Sequence, residues 1–147
     1  VELVVAHELG HAKRQDVLVG TVVGAFLGAA GVCGLFVLLS SARVLSRVGA
    51  TSAGDPRALP FVLFLAAAVP LLIAPVSNLV TRHVEARADI HSLELTGDVP
   101  TFVTTEQRLA RRNLSDLDPN PFVYGMFFTH PTSPERIALA RAWEADR

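Results

Sequence analysis

Two long uncharged runs constrain this chain more than any other feature. Val17–Ala42 is 26 residues without a charged side chain, bounded by Asp16 and Arg43, and Ala58–Thr81 is 24 more, bounded by Arg57 and Arg82. Each is long enough to cross a hydrocarbon core of about 30 Å, which takes roughly 20 helical residues. The competing reading is a pair of buried core helices. A chain of 147 residues offers too little surrounding structure to bury two such helices on all sides, so spanning is expected, over about 17–40 and 59–80. Half of the residues are apolar and the mean hydropathy is +0.40, which agrees. Gly20, Gly24 and Gly28 share one face of the first run and would let a neighbouring helix approach. Pro70 and Pro75 predict a kink or local break in the second.

The polar remainder reads as short helices and turns. Ser40–Arg57 is a small-residue turn region between the spans. A helix over Leu79–Leu95 leaves the membrane and stops near Gly97, and a second runs over Thr101–Asn113. Ser115–Pro121 is a loop. Ser133 is the expected N-cap of a last helix, with Pro134 at its first position, ending near Ala145. With 13 basic and 14 acidic residues no basic face dominates, so no nucleic-acid partner is expected. Cys33 is the sole cysteine, which excludes an intramolecular disulfide and a cysteine-based zinc site. Lys13 is the one lysine against twelve arginines, a bias that points to a GC-rich bacterial genome and a bacterial cell membrane. The opening at Val1, six residues ahead of the first motif histidine, is read as the start of a fragment of a larger chain.

The chemistry begins at His7-Glu8-Leu9-Gly10-His11. Residues four apart on a helix share a face, so both imidazoles can reach one metal, with Glu8 beside it as a general base. An amphipathic helix with two surface histidines is the plainer alternative. Zinc needs a third protein ligand, and His83, Glu85, Asp89, His91, Glu94 and His130 are the downstream donors. Glu85 and Asp89 lie on one helix face, suited to a metal-binding Glu and an Asp one turn on that orients a ligand histidine. An ordinary solvated acidic face would look the same. Topology favours the pairing: His11 precedes the first span and Glu85 follows the second, and two crossings return the chain to its starting side.

The chain resembles the integral-membrane zinc peptidases that include the type I CAAX prenyl proteases and the HtpX-like proteases. His7–His11 matches their zinc helix and Glu85-Ala86-Arg87-Ala88-Asp89 their E-x-x-A-D segment. Thr129-His130-Pro131 and Glu135-Arg136-Ile137 match their C-terminal elements. Asn113–Pro119 looks closer to the CAAX-protease branch. The resemblance implies an all-α, mainly helical integral membrane protein: a gluzincin-like zinc helix, a two-span transmembrane hairpin and C-terminal helices, with residues 1–147 as the catalytic peptidase domain. It implies one zinc ion per chain on His7, His11 and Glu85, and hydrolysis of peptide bonds in membrane-associated proteins or peptides at the lipid bilayer. The family's earlier membrane helices are absent from this sequence. His91 stands where an apolar or aromatic residue is expected, and no peptide-binding edge strand is evident.

His130 is a candidate for polarising the scissile carbonyl; a loop histidine held before Pro131 is the competing reading. Arg136 is a candidate for binding the substrate backbone or bracing the site through an acid, against an exposed arginine in a first helical turn. His83 faces away from Glu85 and reads as structural. Rival functions are a quality-control protease without prenyl specificity, a membrane sensor that signals through a zinc-protease domain, and a zinc-binding scaffold, against which an intact Glu8 speaks.

Overall fold

The computed structural model describes all 147 residues and contains helices only. In chain order these are α1 (Glu2–Arg14), α2 (Asp16–Ser40), α3 (Ala42–Arg47), α4 (Leu59–Thr96), α5 (Val99–Arg112), α6 (Pro121–Phe127) and α7 (Ser133–Ala145), with a single 3-10 turn at Pro56–Ala58. The chain forms two compact units, residues 18–73 and residues 1–17 with 74–147.

In the first unit, α2 buries no residue at all although its mean hydropathy reaches 2.4. The apolar part of α4 is equally uncovered, at mean hydropathy 2.5. Helices of this length and composition can cross a membrane, and neither apolar window is covered by the rest of this chain. The loop between them is more structured than a plain polar turn. Ser41 caps α3 by accepting from Val44 N–H, and Leu45, Ala50 and Ala58 form a small apolar cluster with Leu39 and Val48. Two details depart from expectation. Helix α4 continues unbroken through Pro70 and Pro75. A Cβ placed on Gly20, Gly24 or Gly28 would meet nothing within 4 Å, so no helix of this chain uses that face.

The second unit has a conventional core: Leu3 of α1, Leu93 of α4, Val99 and Phe102 of α5, and Ala140 of α7, flanked by Val103 and Trp143. Helix α5 shows why it folds there. Asp98 caps it by accepting from Thr101 N–H at 2.9 Å, and Val99, Phe102, Glu106 and Ala110 fall on one buried stripe. Helix α7 starts one residue earlier than expected. Thr132, not Ser133, is the N-cap, because Glu135 reaches back to the Thr132 N–H at 2.7 Å and completes a capping box. Helix α6 was not anticipated at all. Asn120 caps it by accepting from Phe122 N–H, and Pro121 occupies its first turn.

Candidate metal centre

Helix α1 lies close on α4 because Gly10 has no side chain. A Cβ there would come within 3.2 Å of both Ala88 Cα and His91 Cβ, tighter than ordinary contact. His91 is accordingly buried against Gly10 and pairs with Glu94 at 3.5 Å. It fills a packing position and stays outside the metal donors.

That close approach brings three donors to a point. His7 Nε2 and His11 Nε2 are 3.2 Å apart; Glu85 Oε2 is 3.4 Å from His7 Nε2, and Glu85 Oε1 is 3.7 Å from His11 Nε2. The two imidazole rings stand edge to face at 80°. A tetrahedral ion with bonds of about 2.0–2.2 Å separates its ligand atoms by roughly 3.4 Å, so the three separations fit one. The tautomers fit too. His7 donates Nδ1–H to Asp89 Oδ1 at 2.9 Å, and His11 donates Nδ1–H to Asp16 Oδ2 at 3.0 Å. Each hydrogen bond occupies Nδ1 and turns Nε2 inward, the nitrogen that a metal would take in place of a proton.

Behind His7 stands a buried ionic chain. Arg136 donates from Nε to Asp89 Oδ2 at 2.7 Å and from Nη2 to Asp89 Oδ1, while its Nη1 lies 2.9 Å from Glu106 Oε1. Asp89 is fully buried and Glu106 nearly so. Burial pushes the Asp89 carboxyl up, but the hydrogen bonds from Arg136 and His7 outweigh it and hold the group below the usual carboxylate range. Glu106 goes the other way: burial raises its pKa and the Arg136 charge only partly offsets this. At Glu85, burial is again outweighed, by the His7 hydrogen bond and the charges of His130, His7 and His11. His7 is pushed up to about 9, chiefly by its hydrogen bond to Asp89 and then by that to Glu85. This pocket attracts a cation at the point where the donors meet.

The remaining candidates take distinct places. His130 is largely exposed, with Nε2 3.5 Å from Glu85 Oε2 and Nδ1 2.9 Å from the Thr129 hydroxyl, so it faces the centre from the open side. Glu8 is exposed, next to His7 in sequence and three residues before His11. His83 turns back to the Leu79 carbonyl at 3.1 Å and takes no part. A cavity of about 210 Å³ adjoins the donors, walled by Leu3 and Val4 of α1, Ser92 of α4, and Phe102, Thr105 and Leu109 of α5. Two site residues lay outside the sequence reading. Asp16 appeared only as the boundary of an uncharged run; it reaches His11 across Gln15, which adopts a left-handed conformation (φ 55°) at the end of α1. Glu106 was detectable as an acid on the apolar stripe of α5, but its partner Arg136 lies 30 positions on.

The sequence profile described as "Peptidase family M48" matches residues 1–144. The chain belongs to peptidase family M48. Among curated relatives of this M48 chain, the metalloprotease YhfN of Bacillus subtilis is 32% identical over 143 residues, covering 96% of this chain and 34% of that protein. A protease HtpX homolog of Kineococcus radiotolerans is 31% identical over 158 residues, covering 95% of this chain and 52% of its own. The chain thus spans about a third to a half of the length of these relatives. The crystal structure of S. mikatae Ste24p superposes with a TM-score of 0.75 at 20% identity, over 94% of this chain and 35% of that one, a likeness of fold. The M48 assignment carries a metal cofactor with it, and the donors of α1 and α4 are where the residues of this chain fit one.

Proposed function

We propose that this chain is the catalytic part of a zinc-dependent membrane endopeptidase, with zinc on His7, His11 and Glu85. The observation that carries the reading is the set of three donor separations, 3.2, 3.4 and 3.7 Å, in a pocket with both histidine Nδ1–H groups already committed to carboxylates. Two nitrogens and one carboxylate are the donor set of open, catalytic zinc sites, whereas structural sites close with a fourth protein ligand.

Zinc, when bound, supplies Lewis-acid polarisation of a carbonyl and acidifies a water molecule. The protein does the rest. The Glu8 carboxylate takes the water proton as the water oxygen bonds to the scissile carbonyl carbon, and returns it to the leaving amine nitrogen as the C–N bond breaks. His130, on the open side, donates from Nε2 to the carbonyl oxygen as charge develops there. Asp89 and Asp16 hold the histidines in the ligating tautomer, and Arg136 keeps Asp89 ionised.

Residues 17–40 and 59–80 cross the bilayer as a hairpin in this reading, which returns both halves of the zinc site to one membrane face. Supporting this are the uncovered apolar windows of α2 and α4. Substrates are therefore proteins or peptides at a membrane surface. Cysteine-accessibility labelling at Ser52 against Arg87 checks the hairpin, with the two expected on opposite sides.

Glu8→Gln in the full-length protein tests the mechanism. The amide keeps the size of the side chain and removes its basicity. Zinc content should stay at the wild-type level while peptide cleavage falls by about a hundredfold or more. Cleavage at the wild-type rate would exclude Glu8 as the base.

A further inference from the structure

Helix α6 has no role in the site just described, yet its composition and placement are unusual. From Pro119 to Thr129 the chain carries no charge, and within it Phe122, Val123 and Phe127 are exposed by 69%, 40% and 62%. Eleven uncharged residues are too few to cross a bilayer. Their exposure excludes a core helix, so an uncharged aromatic segment stands open with nothing in its own unit covering it.

The end of α6 is fastened in a way that fixes its level. Asn78 of α4 donates to the carbonyls of Gly125 and Met126 at 3.3 and 2.7 Å. Arg82, one turn further along α4, donates to those of Tyr124 and Phe128 at 3.3 and 2.6 Å. Two side chains thus satisfy four carbonyls at a helix end that water would otherwise solvate. Side-chain donors to backbone carbonyls are one way a chain replaces water where water is scarce. Asn78 and Arg82 also straddle the end of the stretch 59–80. The bonds therefore hold α6 at the boundary of the hydrocarbon layer. The Arg82 guanidinium lies 4.4 Å from the Tyr124 ring centre, and Tyr with Arg at a span end is the usual composition of a membrane–water interface.

We propose that α6 is an interfacial anchor: Phe122, Val123 and Phe127 enter the headgroup–acyl boundary of the bilayer, and the His130 loop that follows is held at the membrane surface. This rests on the membrane reading above and deepens it. His130, three residues beyond Phe127, then lies near the lipid–water boundary together with the Glu85 that it contacts. The preferred substrate is then an extended segment lying close to the membrane surface.

Photo-cross-linking in phosphatidylcholine vesicles tests this on the full-length protein. Benzoylphenylalanine is placed singly at positions 122, 127, 26 and 102, replacing a phenylalanine each time and so disturbing shape little at the three exposed sites. Mass spectrometry then reads lipid adducts. Position 26 lies in α2, within the first span, and position 102 lies in the protein core. The expected result is lipid adducts at 122 and 127 in yields comparable to that at 26, and none at 102. Adducts at 26 with only protein cross-links at 122 and 127, to a second copy or to another segment, would overturn the anchor and leave the spanning hairpin intact. No lipid adduct at 26, 122 or 127 would overturn both.

Discussion

The two histidines of the candidate metal centre are held in opposite ways. His7 leans on Asp89, 82 residues away and fully buried, which is itself gripped by Arg136 between two carboxylates. His11 leans on Asp16, five residues away, backed at 3.5 Å by an Arg87 side chain that is 47% exposed. The first brace is a product of the tertiary fold, assembled from α1, α4, α5 and α7. The second joins two residues across one local turn at Gln15, and water can stand in for the half-exposed Arg87 of α4 that backs it. Where a charge is fully desolvated, removing its partner leaves a cost that solvent does not relieve. Where it is half solvated, the same removal is mild.

Arg136→Leu should have the largest effect. It would leave Glu106 in the interior without its cation and Asp89 with His7 as its one remaining charged partner. The expected loss is about 3–5 kcal/mol of stability, read as a large drop in Tm of the full-length protein. A loss of about 1 kcal/mol or less would mean that the buried chain is solvated like an exposed pair.

Asp89→Asn and Asp16→Asn sharpen the contrast at the metal. Both keep an oxygen that can accept from the histidine and remove the charge. Asp89→Asn should weaken zinc affinity by roughly 10–100-fold, as loss of a group orienting a ligand histidine usually does. Asp16→Asn should fall at or below the low end, about tenfold. Competition with a fluorescent chelator gives both numbers. If Asp16→Asn proved the more damaging, the local brace would be the dominant one and the comparison would invert.

Glu135 provides the smallest effect and a check on sign. Partial burial pushes its carboxyl up, but the Tyr124 hydroxyl at 2.6 Å and the N–H and hydroxyl of Thr132 outweigh this and hold it below the usual range. The folded protein therefore binds this proton less readily than the unfolded chain. Its contribution to stability is complete above a glutamate's ordinary pKa of about 4.3 and is lost as pH falls through the lower folded value. Glu135→Gln should flatten the dependence of Tm on pH in that acidic window and change the neutral-pH Tm less than Arg136→Leu does. An unchanged acid slope would remove the capping box as a source of pH sensitivity.

Much of this arrangement was legible in the sequence. Periodicity and charge located α1, α2, α5 and α7 to within a few residues. The four-residue spacings of His7 with His11 and of Glu85 with Asp89 put each pair on one helix face, and the fold brings these faces together. What escaped depended on backbone geometry or on distant partners. Asp16 becomes a brace only because Gln15 takes up a left-handed conformation that a glutamine does not advertise. Helix α6 hid behind Pro119 and Pro121, which read as loop, although Pro121 in a first turn after Asn120 is a start signal. The prolines of α4 pointed to a kink or a local break, and the helix runs on without a break, as membrane helices with prolines can when neighbouring groups compensate. Gly10 was read as part of a motif; its function is to let α1 meet Ala88 and His91.

The account stands on a single metal shared between α1 and α4, and Glu85 is the donor that only the tertiary fold can deliver. The direct measurement is zinc stoichiometry and affinity of the purified full-length protein, wild type against Glu85→Ala. One zinc per chain is expected in the wild type. In the variant the affinity should fall by more than the roughly 10–100-fold expected for loss of an orienting partner. Unchanged zinc content and affinity in Glu85→Ala would contradict the site.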